Sequence, residues 1–348
     1  MIVLMPKSLF LNRLIVFTNL LFLFIMILIG FNYYFPLRFM SIFFIFNVLY
    51  PYFLCGFLFF IVQTILKKNK LLLTINLTVF LFVFFLLGPI YVFGDSISEK
   101  SENSIKVLTL NAFQFNGYLN RGDNNFGQTF EGFIDDNKPD IICLQEFSKT
   151  YKIPLIVKNY PYYYVNYKTR YTKYSPLTIF SKYPIIEKGS LDFPNSGNNS
   201  IYVDIALPKD TLRVYNIHLQ SLKVRPGSIK RERPYNLLNR LGSSYKMQLQ
   251  QAELVKEHYK NAPYKAILCG DFNNTQHSGI IKLFSDEMKD SFIEKGNGFG
   301  STYYFKFLPF RIDYIFTDNS IEIIDHQNFD AKLSDHYPVM ATVQLRTD

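Results

Sequence analysis

The chain has 348 residues, of which 49% are hydrophobic, and a formal net charge of +9. This composition excludes a disordered chain and a collagen-like fibre, and three cysteines are too few for a disulfide framework. Residues 1–94 contain no Asp or Glu and six of the 37 basic residues, so 31 basic residues remain against 28 acidic ones beyond position 94. Most of the basic excess therefore lies beside apolar segments, where it reports on membrane topology and not on nucleic-acid binding.

Three uncharged, apolar segments precede residue 95, at 14–37, 39–66 and 71–94. Each is longer than the ~20 apolar residues that a helix needs to cross the hydrocarbon core of a bilayer. A cleaved signal peptide is the alternative for the first segment, because Lys7 and Arg13 precede it, but no small-residue cleavage site follows. The sequence therefore predicts a membrane module at residues 1–94 with three transmembrane helices.

The basic residues beside these segments predict their orientation. With the N-terminus inside, Arg38 lies outside and five basic residues face the cytoplasm: Lys7, Arg13, Lys67, Lys68 and Lys70. This distribution satisfies the positive-inside tendency. An odd number of spans then predicts a multi-pass membrane protein whose residues 95–348 lie on the extracytoplasmic side. If one span is re-entrant or peripheral, the domain changes sides.

A polar linker at 95–104 precedes a single α/β domain at 105–348, in which short apolar strands mix with amphipathic helices. The predicted strands are 105–110, 140–144, 177–180, 200–207, 212–219, 266–269, 311–316, 321–324 and 337–345. One predicted helix ends before Lys138, with Phe130, Phe133 and Ile134 on one face, and another covers 234–260. The length is sufficient for one large core.

Polar residues stand where several of these strands end. Singly, each has a structural explanation, because a strand-end Asn or Asp usually caps a turn and a lone histidine is usually a hydrogen-bonded core residue. Together they form a chemical inventory: Asn111, Glu146, His218, Asp271, Asn273, Asp313, Asp335 and His336. The carboxylates are hard oxygen ligands of the kind that Mg²⁺ accepts, and the histidines supply acid–base groups and positive charge. The set predicts metal-assisted hydrolysis of a phosphate ester.

Seven motifs carry a resemblance to a known family. They are LNAFQFN at 110–116, DIICLQE at 140–146, SKYPI at 181–185, NIHLQS at 216–221, CGDFNN at 269–274, RIDYIF at 311–316 and SDHYPV at 334–339. In this order they resemble the endonuclease/exonuclease/phosphatase superfamily, which includes pancreatic deoxyribonuclease, abasic-site endonucleases, inositol polyphosphate 5-phosphatases and neutral sphingomyelinases. The resemblance covers about 105–345 and implies a four-layer α/β sandwich, with two packed mixed β-sheets and helices outside.

The resemblance also implies a metal site. Glu146 is expected to be the main Mg²⁺ ligand, and Mn²⁺ is the expected substitute for Mg²⁺. Asn111 and Asp335 are expected to contribute to the same metal cluster or to a second ion.

Five further residues are expected to act on the substrate and the attacking water. Asp271 resembles the group that aligns or deprotonates the water, and Asn273 the group that holds a phosphate oxygen. His336, kept cationic by Asp313, is expected to contact the scissile phosphate. His218 occupies the position of a second phosphate-facing histidine, which implies a general acid toward the leaving oxygen.

Two features leave the substrate open. The segment 160–174 holds seven tyrosines and no acid, where nuclease branches of the family supply a further Tyr or Glu. A basic segment after His218 is either a solvent-exposed stretch leading into the helix at 234–260 or a phosphate-attracting rim of the site. Its basic residues are Lys223, Arg225, Lys230, Arg231, Arg233 and Arg240.

The remaining histidines are His258, His277 and His326. They are assigned no catalytic role, and His258 is expected to face solvent.

Three functions of different classes remain open. The first is a membrane-tethered, Mg²⁺-dependent phosphoesterase that hydrolyses a phosphodiester or a phosphomonoester, for which the HLQS motif resembles the sphingomyelinase-like branch. The second is an extracytoplasmic endonuclease or exonuclease on DNA or RNA, which the basic segment favours and the near-neutral charge of residues 95–348 disfavours. The third is a non-enzymatic binding module on the same fold. The expected partners are the lipid bilayer and a phospholipid head group, nucleic acid or small phosphoester as substrate, and no protein partner is predicted.

Overall fold

The computed structural model describes residues 7–36, 41, 43–94, 104–115, 126–147, 159–166, 176–224, 232–305 and 308–345. The chain divides into two compact units. The helical unit comprises Met1–Ile90 and His277–Lys282, and the α/β unit comprises Tyr91–Gln276 and Leu283–Asp348.

Four helices form most of the helical unit: α1 (Lys7–Tyr34), α2 (Phe44–Val48), α3 (Tyr50–Leu66) and α4 (Lys70–Leu87). The side chain of Asn69 caps α4 by accepting a hydrogen bond from the backbone N–H of Leu72 at 3.1 Å. The helix stops at Gly88, whose φ of +77° favours glycine. It therefore ends before residue 94, the predicted end of the third span.

The prediction of three transmembrane helices is corrected to two candidate spans within the described residues, Asn12–Tyr34 and Lys70–Leu87. The second predicted span, 39–66, is interrupted at Leu49, and α3 keeps 17 residues. That is about 26 Å of helix, against ~30 Å of hydrocarbon core. Pro51 explains the interruption, because it has no N–H to donate one turn back and its ring clashes with the carbonyl of Asn47 in a continuous helix.

Both candidate spans present large apolar side chains outward. The most apolar window of Asn12–Tyr34 is 28% buried inside the protein, and that of Lys70–Leu87 is 17% buried. Phe17 is 65% exposed and Phe85 is 79% exposed. Core helices of soluble domains bury such side chains, so these helix faces are suited to contact lipid.

The rest of the chain combines fourteen described strands with four helices. In chain order they are β1 (Ile105–Asn111), α5 (Phe126–Asn137), β2 (Ile141–Gln145), β3 (Tyr162–Asn166), β4 (Leu177–Ser181), β5 (Ile185–Asp192), β6 (Asn199–Ala206), β7 (Thr211–His218), α6 (Pro234–Lys260), β8 (Lys265–Asp271), α7 (Gly279–Ser285), β9 (Lys289–Asp290), α8 (Ser291–Lys295), β10 (Tyr303–Phe305), β11 (Leu308–Phe310), β12 (Asp313–Thr317), β13 (Ile321–Asn328) and β14 (Val339–Leu345).

Twelve of these strands form two six-stranded sheets. The first sheet has the order β13-β14-β1-β2-β4-β3, and the second has the order β5-β6-β7-β8-β12-β9. Each sheet contains one parallel pair, β1–β2 in the first and β7–β8 in the second, among antiparallel pairs. Both sheets are therefore mixed.

The two sheets pack face to face through one apolar core. Val107 and Cys143 of the first sheet meet Val214 and Ile267 of the second in this core, and all four are fully buried. On the outer face of the first sheet, α5 packs through Phe130. On the outer face of the second sheet, α6 is hydrogen-bonded to β7. The predicted α/β fold, with two packed mixed sheets and helices outside, is confirmed.

The parallel pairs of both sheets end at one edge of the sandwich. Asn111 is opposite Gln145 at the ends of β1 and β2, and His218 is opposite Asp271 at the ends of β7 and β8. The antiparallel strand β12 begins at Asp313, which is also opposite Asp271. Because these strand ends meet, polar residues far apart in the sequence lie within a few ångströms of each other.

Candidate active site

Asp271 lies at the centre of this edge and is 1% exposed. Its Oδ2 accepts a hydrogen bond from Asn111 Nδ2 across the two sheets at 3.0 Å. Its Oδ1 accepts one from the backbone N–H of Asn273 at 2.8 Å. Burial raises the pKa of Asp271 to about 6, although the charges of His336 and His218 oppose that rise. A carboxyl group with a pKa this close to neutrality is able to accept a proton from a bound water.

His336 and Asp313 form a buried carboxylate–imidazole pair on one side of Asp271. His336 Nδ1 lies 2.9 Å from Asp313 Oδ2, and His336 Nε2 faces Asp271 Oδ2 at 3.8 Å. Burial lowers the pKa of His336, but the charges of Asp313 and Asp271 outweigh burial and raise the pKa to about 10. Thr302 holds the backbone of Asp313 in place, because its Oγ1 accepts a hydrogen bond from the backbone N–H of Asp313 at 3.0 Å. The imidazole is therefore cationic at neutral pH.

His218 lies on the other side of Asp271. Its Nε2 is 3.6 Å from Asp271 Oδ2 and 3.9 Å from Glu146 Oε1. Burial lowers the pKa of His218, and the positive charge of His336 adds to that effect while Asp271 opposes it. Glu146 has a φ of +48° directly after β2, and its side chain is 29% exposed. This turn aims the Glu146 carboxylate back toward the site instead of along the strand.

Two predicted residues make contacts other than those expected of them. Asn273 donates its Nδ2 hydrogen to the carbonyl of Leu219 at 3.0 Å, so this amide nitrogen joins the loops after β7 and β8. Asp335 is half-buried, and its Oδ1 lies 3.4 Å from the hydroxyl of Ser334. The same Ser334 hydroxyl donates to the carbonyl of Asn111 at 2.6 Å. The turn that carries Asp335 is thereby attached to the end of β1.

The structure brings a group with metal-binding potential together at this edge. Asp271, Asp313 and His336 offer ligand atoms that all lie within 4.8 Å of one another. This group differs from the predicted metal ligands, which are Asn111, Glu146 and Asp335. Of those three, Asn111 directly contacts Asp271, and Glu146 lies on the His218 side of it.

The buried amide side chain of Gln248 holds the site loops together, and this residue lies outside the seven sequence motifs. Gln248 of α6 is fully buried. Its Nε2 donates to the carbonyls of Gln220 at 2.7 Å and Asn273 at 3.1 Å, and its Oε1 accepts from Asn274 at 2.9 Å. One helix side chain therefore joins the loop after His218 to the loop after Asp271. A polar residue on the apolar face of a predicted helix was the only signal for it.

A second amide network crosses between the sheets beneath the site. Gln145 Nε2 donates to Asn216 Oδ1 at 2.7 Å and to Thr109 Oγ1 at 3.0 Å. Asn216 Nδ2 in turn donates to the carbonyl of Leu144 at 2.9 Å. Gln145 directly precedes Glu146, so this network sets the position of the strand end that carries the carboxylate.

Two histidines outside the motifs are held by hydrogen bonds. His258, which was predicted to face solvent, is half-buried: its Nδ1 lies 2.8 Å from the hydroxyl of Tyr215 and its ring packs on Tyr202. His326 is buried in β13, with Nδ1 2.8 Å from the hydroxyl of Ser291. Residues 225–231, which include three of the six basic residues of the basic segment, lie outside the described residues, as do residues 167–174 of the tyrosine segment.

Comparison with known proteins agrees with this geometry. A model of the "Endonuclease/Exonuclease/phosphatase family" matches residues 108–336, about two thirds of the chain. No curated protein sequence matches. Among solved structures, the chain is similar to the human nocturnin catalytic domain with bound sulfate anion (14% identity, 73% of this chain and 98% of that chain, TM-score 0.56).

Two further solved structures are similar. One is sphingomyelinase C from Streptomyces griseocarneus (19% identity, 69% of this chain and 99% of that chain, TM-score 0.50). The other is D. rerio TDP2 complexed with a single-strand DNA product (16% identity, 70% of this chain and 100% of that chain, TM-score 0.50). At these identities the similarity establishes the fold alone.

Proposed function

This chain belongs to the endonuclease/exonuclease/phosphatase family, and we propose that it is a membrane-tethered, divalent-metal-dependent phosphoesterase that cleaves its substrate by in-line attack of water. Proteins of this family are generally hydrolases that act on phosphate esters. One observation carries the proposal: carboxylate and imidazole atoms of buried Asp271, Asp313 and His336 lie within 4.8 Å of one another, and His218 flanks Asp271 at 3.6 Å. A proton acceptor and two imidazoles are what an attacking water, a phosphoryl group and a leaving oxygen require.

The protein groups divide the proton transfers by their surroundings. Asp271, with a pKa raised by burial to about 6, aligns the water and accepts its proton. His336 remains cationic beside Asp313 and stabilises the negative charge that develops on the phosphoryl oxygens. Burial lowers the pKa of His218. The negative charge of a bound phosphate raises this pKa again, so that the imidazole is protonated when substrate is bound. That proton then passes to the leaving oxygen.

The donor set fits a hard divalent cation. Half-buried Glu146 provides a carboxylate oxygen on the His218 side of the site, a ligand that Mg²⁺ and Mn²⁺ accept. We assign the metal to the side of Glu146, because His336 is cationic on the other side and repels a metal ion. Asn111 and Asp335 stay the other predicted ligands. A bound metal ion supplies Lewis-acid stabilisation of the phosphoryl oxygens.

The two candidate spans support a membrane tether. Their exposed phenylalanines belong in lipid, where burial stabilises them by about 2 kcal/mol each. The side of the membrane depends on α3, because two crossings leave the α/β unit on the side of the N-terminus and three place it opposite. The basic residues at 7, 13, 67, 68 and 70 lie on one side only if α3 also crosses. With two candidate spans we infer a multi-pass arrangement, and the predicted extracytoplasmic side requires that α3 crosses as well.

The tether favours a phosphoester in or near the lipid head-group layer over a long nucleic acid. A sphingomyelinase and a protein bound to single-strand DNA are both among the structures of similar fold. Residues 95–348 carry 31 basic and 28 acidic residues, whereas binding of a duplex depends on neutralising many phosphates. A nuclease is the second candidate, and the basic residues after His218 support it.

The test uses the full-length protein in liposomes with Mg²⁺, Mn²⁺ or EDTA. The substrates are bis-p-nitrophenyl phosphate, plasmid DNA, a short RNA and phospholipid vesicles. His336→Ala and Glu146→Gln remove proposed site groups, and His258→Gln removes a hydrogen-bonded histidine far from them. We expect metal-dependent turnover that is retained in His258→Gln and lost in the two site variants.

The preferred substrate distinguishes a lipid phosphoesterase from a nuclease. A folded, metal-binding protein that leaves every substrate of this panel intact would contradict the proposed function. Turnover that survives His336→Ala would contradict the proposed site.

A further inference from the structure

Three exposed aromatic rings gather at the start of the α/β unit. We name Tyr91, Phe93 and Phe299 the aromatic cluster. Phe93 is 91% exposed, Phe299 is 51% exposed and Tyr91 is 38% exposed. The ring centroid of Tyr91 lies 4.7 Å from that of Phe93 and 5.0 Å from that of Phe299. A contiguous exposed apolar patch of this kind indicates an interaction surface.

The backbone beneath the aromatic cluster is held in a fixed arrangement. Val92 and Gly298 exchange two backbone hydrogen bonds, each of 2.9 Å, as in a short antiparallel ladder. Gly298 has a φ of +87°, which favours glycine. A Cβ on Gly94 would lie 2.1 Å from the carbonyl oxygen of Gly296, so only glycine permits this approach. The rings therefore form a preorganised surface and not a loose tail.

We propose that the aromatic cluster inserts into the surface of the lipid bilayer that α4 enters. The proposal rests on the membrane tethering proposed above. Tyr91 follows Leu87, the last residue of α4, by four residues, and a chain of this length reaches at most about 14 Å. The interfacial layer on each side of the hydrocarbon core is roughly 5–8 Å thick. If α4 crosses the bilayer, the covalent chain alone keeps these rings close to that layer.

Aromatic rings are the side chains that membrane interfaces select. Tyrosine places its ring at the head-group level with its hydroxyl toward water, and phenylalanine inserts more deeply. Insertion of one phenylalanine ring removes apolar surface from water and thereby stabilises the bound state. The sequence connects the cluster directly to the apolar helix α4, which favours a lipid surface over a protein partner.

The aromatic cluster is also connected to the candidate active site. Thr302 lies three residues after Phe299, and its Oγ1 accepts the backbone N–H groups of Ile312 at 2.9 Å and Asp313 at 3.0 Å. The ring of Tyr303 lies 4.9 Å from that of His336. Lipid docking through Phe299 would hold this loop, and with it the His336–Asp313 pair, at the membrane surface. The substrate class that this favours is a phosphoester carried by a lipid.

The chain contains no tryptophan, so a single introduced tryptophan reports on one position. The experiment uses the full-length Phe299→Trp variant in liposomes, with lipids brominated on their acyl chains as depth-dependent quenchers and acrylamide as an aqueous quencher. Tyr235→Trp is the matched control, because Tyr235 is 74% exposed at the start of α6. We expect blue-shifted emission at position 299, quenched by brominated lipid and protected from acrylamide, and the opposite behaviour at position 235.

Flotation of the liposomes separates the two proposals. A chain that does not float with the vesicles refutes the tethering and the lipid docking together. A chain that floats but emits at position 299 as it does at position 235 refutes the docking alone. Blue-shifted emission without quenching by brominated lipid means that protein covers the ring, and this result also refutes the lipid docking. Phe93→Trp repeats the measurement if Phe299→Trp fails to fold.

Discussion

Replacing Gln248 by methionine is expected to slow turnover by about 10- to 100-fold with little change in substrate affinity. Gln248 is fully buried and contacts no side chain that is proposed to react, but its bonds to the carbonyls of Gln220 and Asn273 hold the loop after His218 and the loop after Asp271. These loops directly follow His218 and Asp271, whose Nε2 and Oδ2 atoms lie 3.6 Å apart. The glutamine is therefore a positioning residue for the acid and the base.

The magnitude follows from the contacts that methionine cannot make. Methionine keeps the length of glutamine but removes three hydrogen bonds, of 2.7, 2.9 and 3.1 Å. Each contributes about 0.5–1.5 kcal/mol net, so the free energy of unfolding falls by about 1.5–4.5 kcal/mol. If displaced loops raise the activation free energy of turnover by about 1.4–2.7 kcal/mol of that amount, turnover falls by about 10- to 100-fold.

The assay compares kcat and KM for a p-nitrophenyl ester and for an alkyl ester. A p-nitrophenolate leaves without a proton, so the loss is expected to be larger for the alkyl ester, which needs His218 as the acid. Gln250→Met, at an exposed position on the same helix, is the matched control and is expected to retain wild-type kinetics.

A double-mutant cycle separates positioning from general destabilisation. In a His218→Ala background, Gln248→Met is expected to reduce kcat much less than in the wild type, because the group it positions is already gone. Equal losses in both backgrounds, or equal losses on both esters, would refute the positioning role even if the variant is less stable.

Three further predictions concern the site and the acid stability of the fold. Asp313→Asn removes a charged hydrogen-bond partner worth about 1.5–3 kcal/mol, so kcat is expected to fall by at least about tenfold; unchanged kcat in steady-state assays would contradict the role of the pair. Glu146→Gln is expected to weaken Mg²⁺ binding in calorimetry, and EDTA to abolish turnover until Mg²⁺ is returned, whereas wild-type affinity would exclude Glu146 as a ligand. Burial lowers the pKa of His326 from 6.5 to about 4, so between these pH values the unfolded chain binds a proton at this residue and the folded chain does not. The free energy of unfolding should therefore fall by about 1.4 kcal/mol for each unit by which the pH is lowered from 6.5 to 4. The Tm of His326→Gln should depend less on pH in this range, and parallel Tm curves for the variant and the wild type would contradict this.

The regular parts of the fold were predictable where local pattern and burial agree. β2 and β4 are fully buried, so their apolar runs identify them in the sequence. β5 is an edge strand whose residues are mostly exposed, and the sequence analysis missed it because it lacks an apolar run. Helix α3 was overestimated in length, because composition does not report the break that Pro51 introduces.

The chemistry of the site was largely visible in the sequence, but its arrangement was not. Residue types at strand ends predicted carboxylates, amides and histidines for phosphate-ester chemistry. The contact between Asn111 and Asp271 joins residues 160 positions apart, and it exists because two parallel strand pairs from different sheets end at one edge. The roles of these residues in catalysis and metal binding stay predictions.

Local composition and spacing were sufficient to identify the apolar segments, the strand ends and the kinds of polar groups at them. The direction and size of each pKa shift depend instead on the folded arrangement of the charged groups. The pKa of His336 rises to about 10 and that of His218 falls, although both are buried histidines beside Asp271. His336 also contacts Asp313 at 2.9 Å, and electrostatic interaction depends on distances of a few ångströms that chain position does not contain.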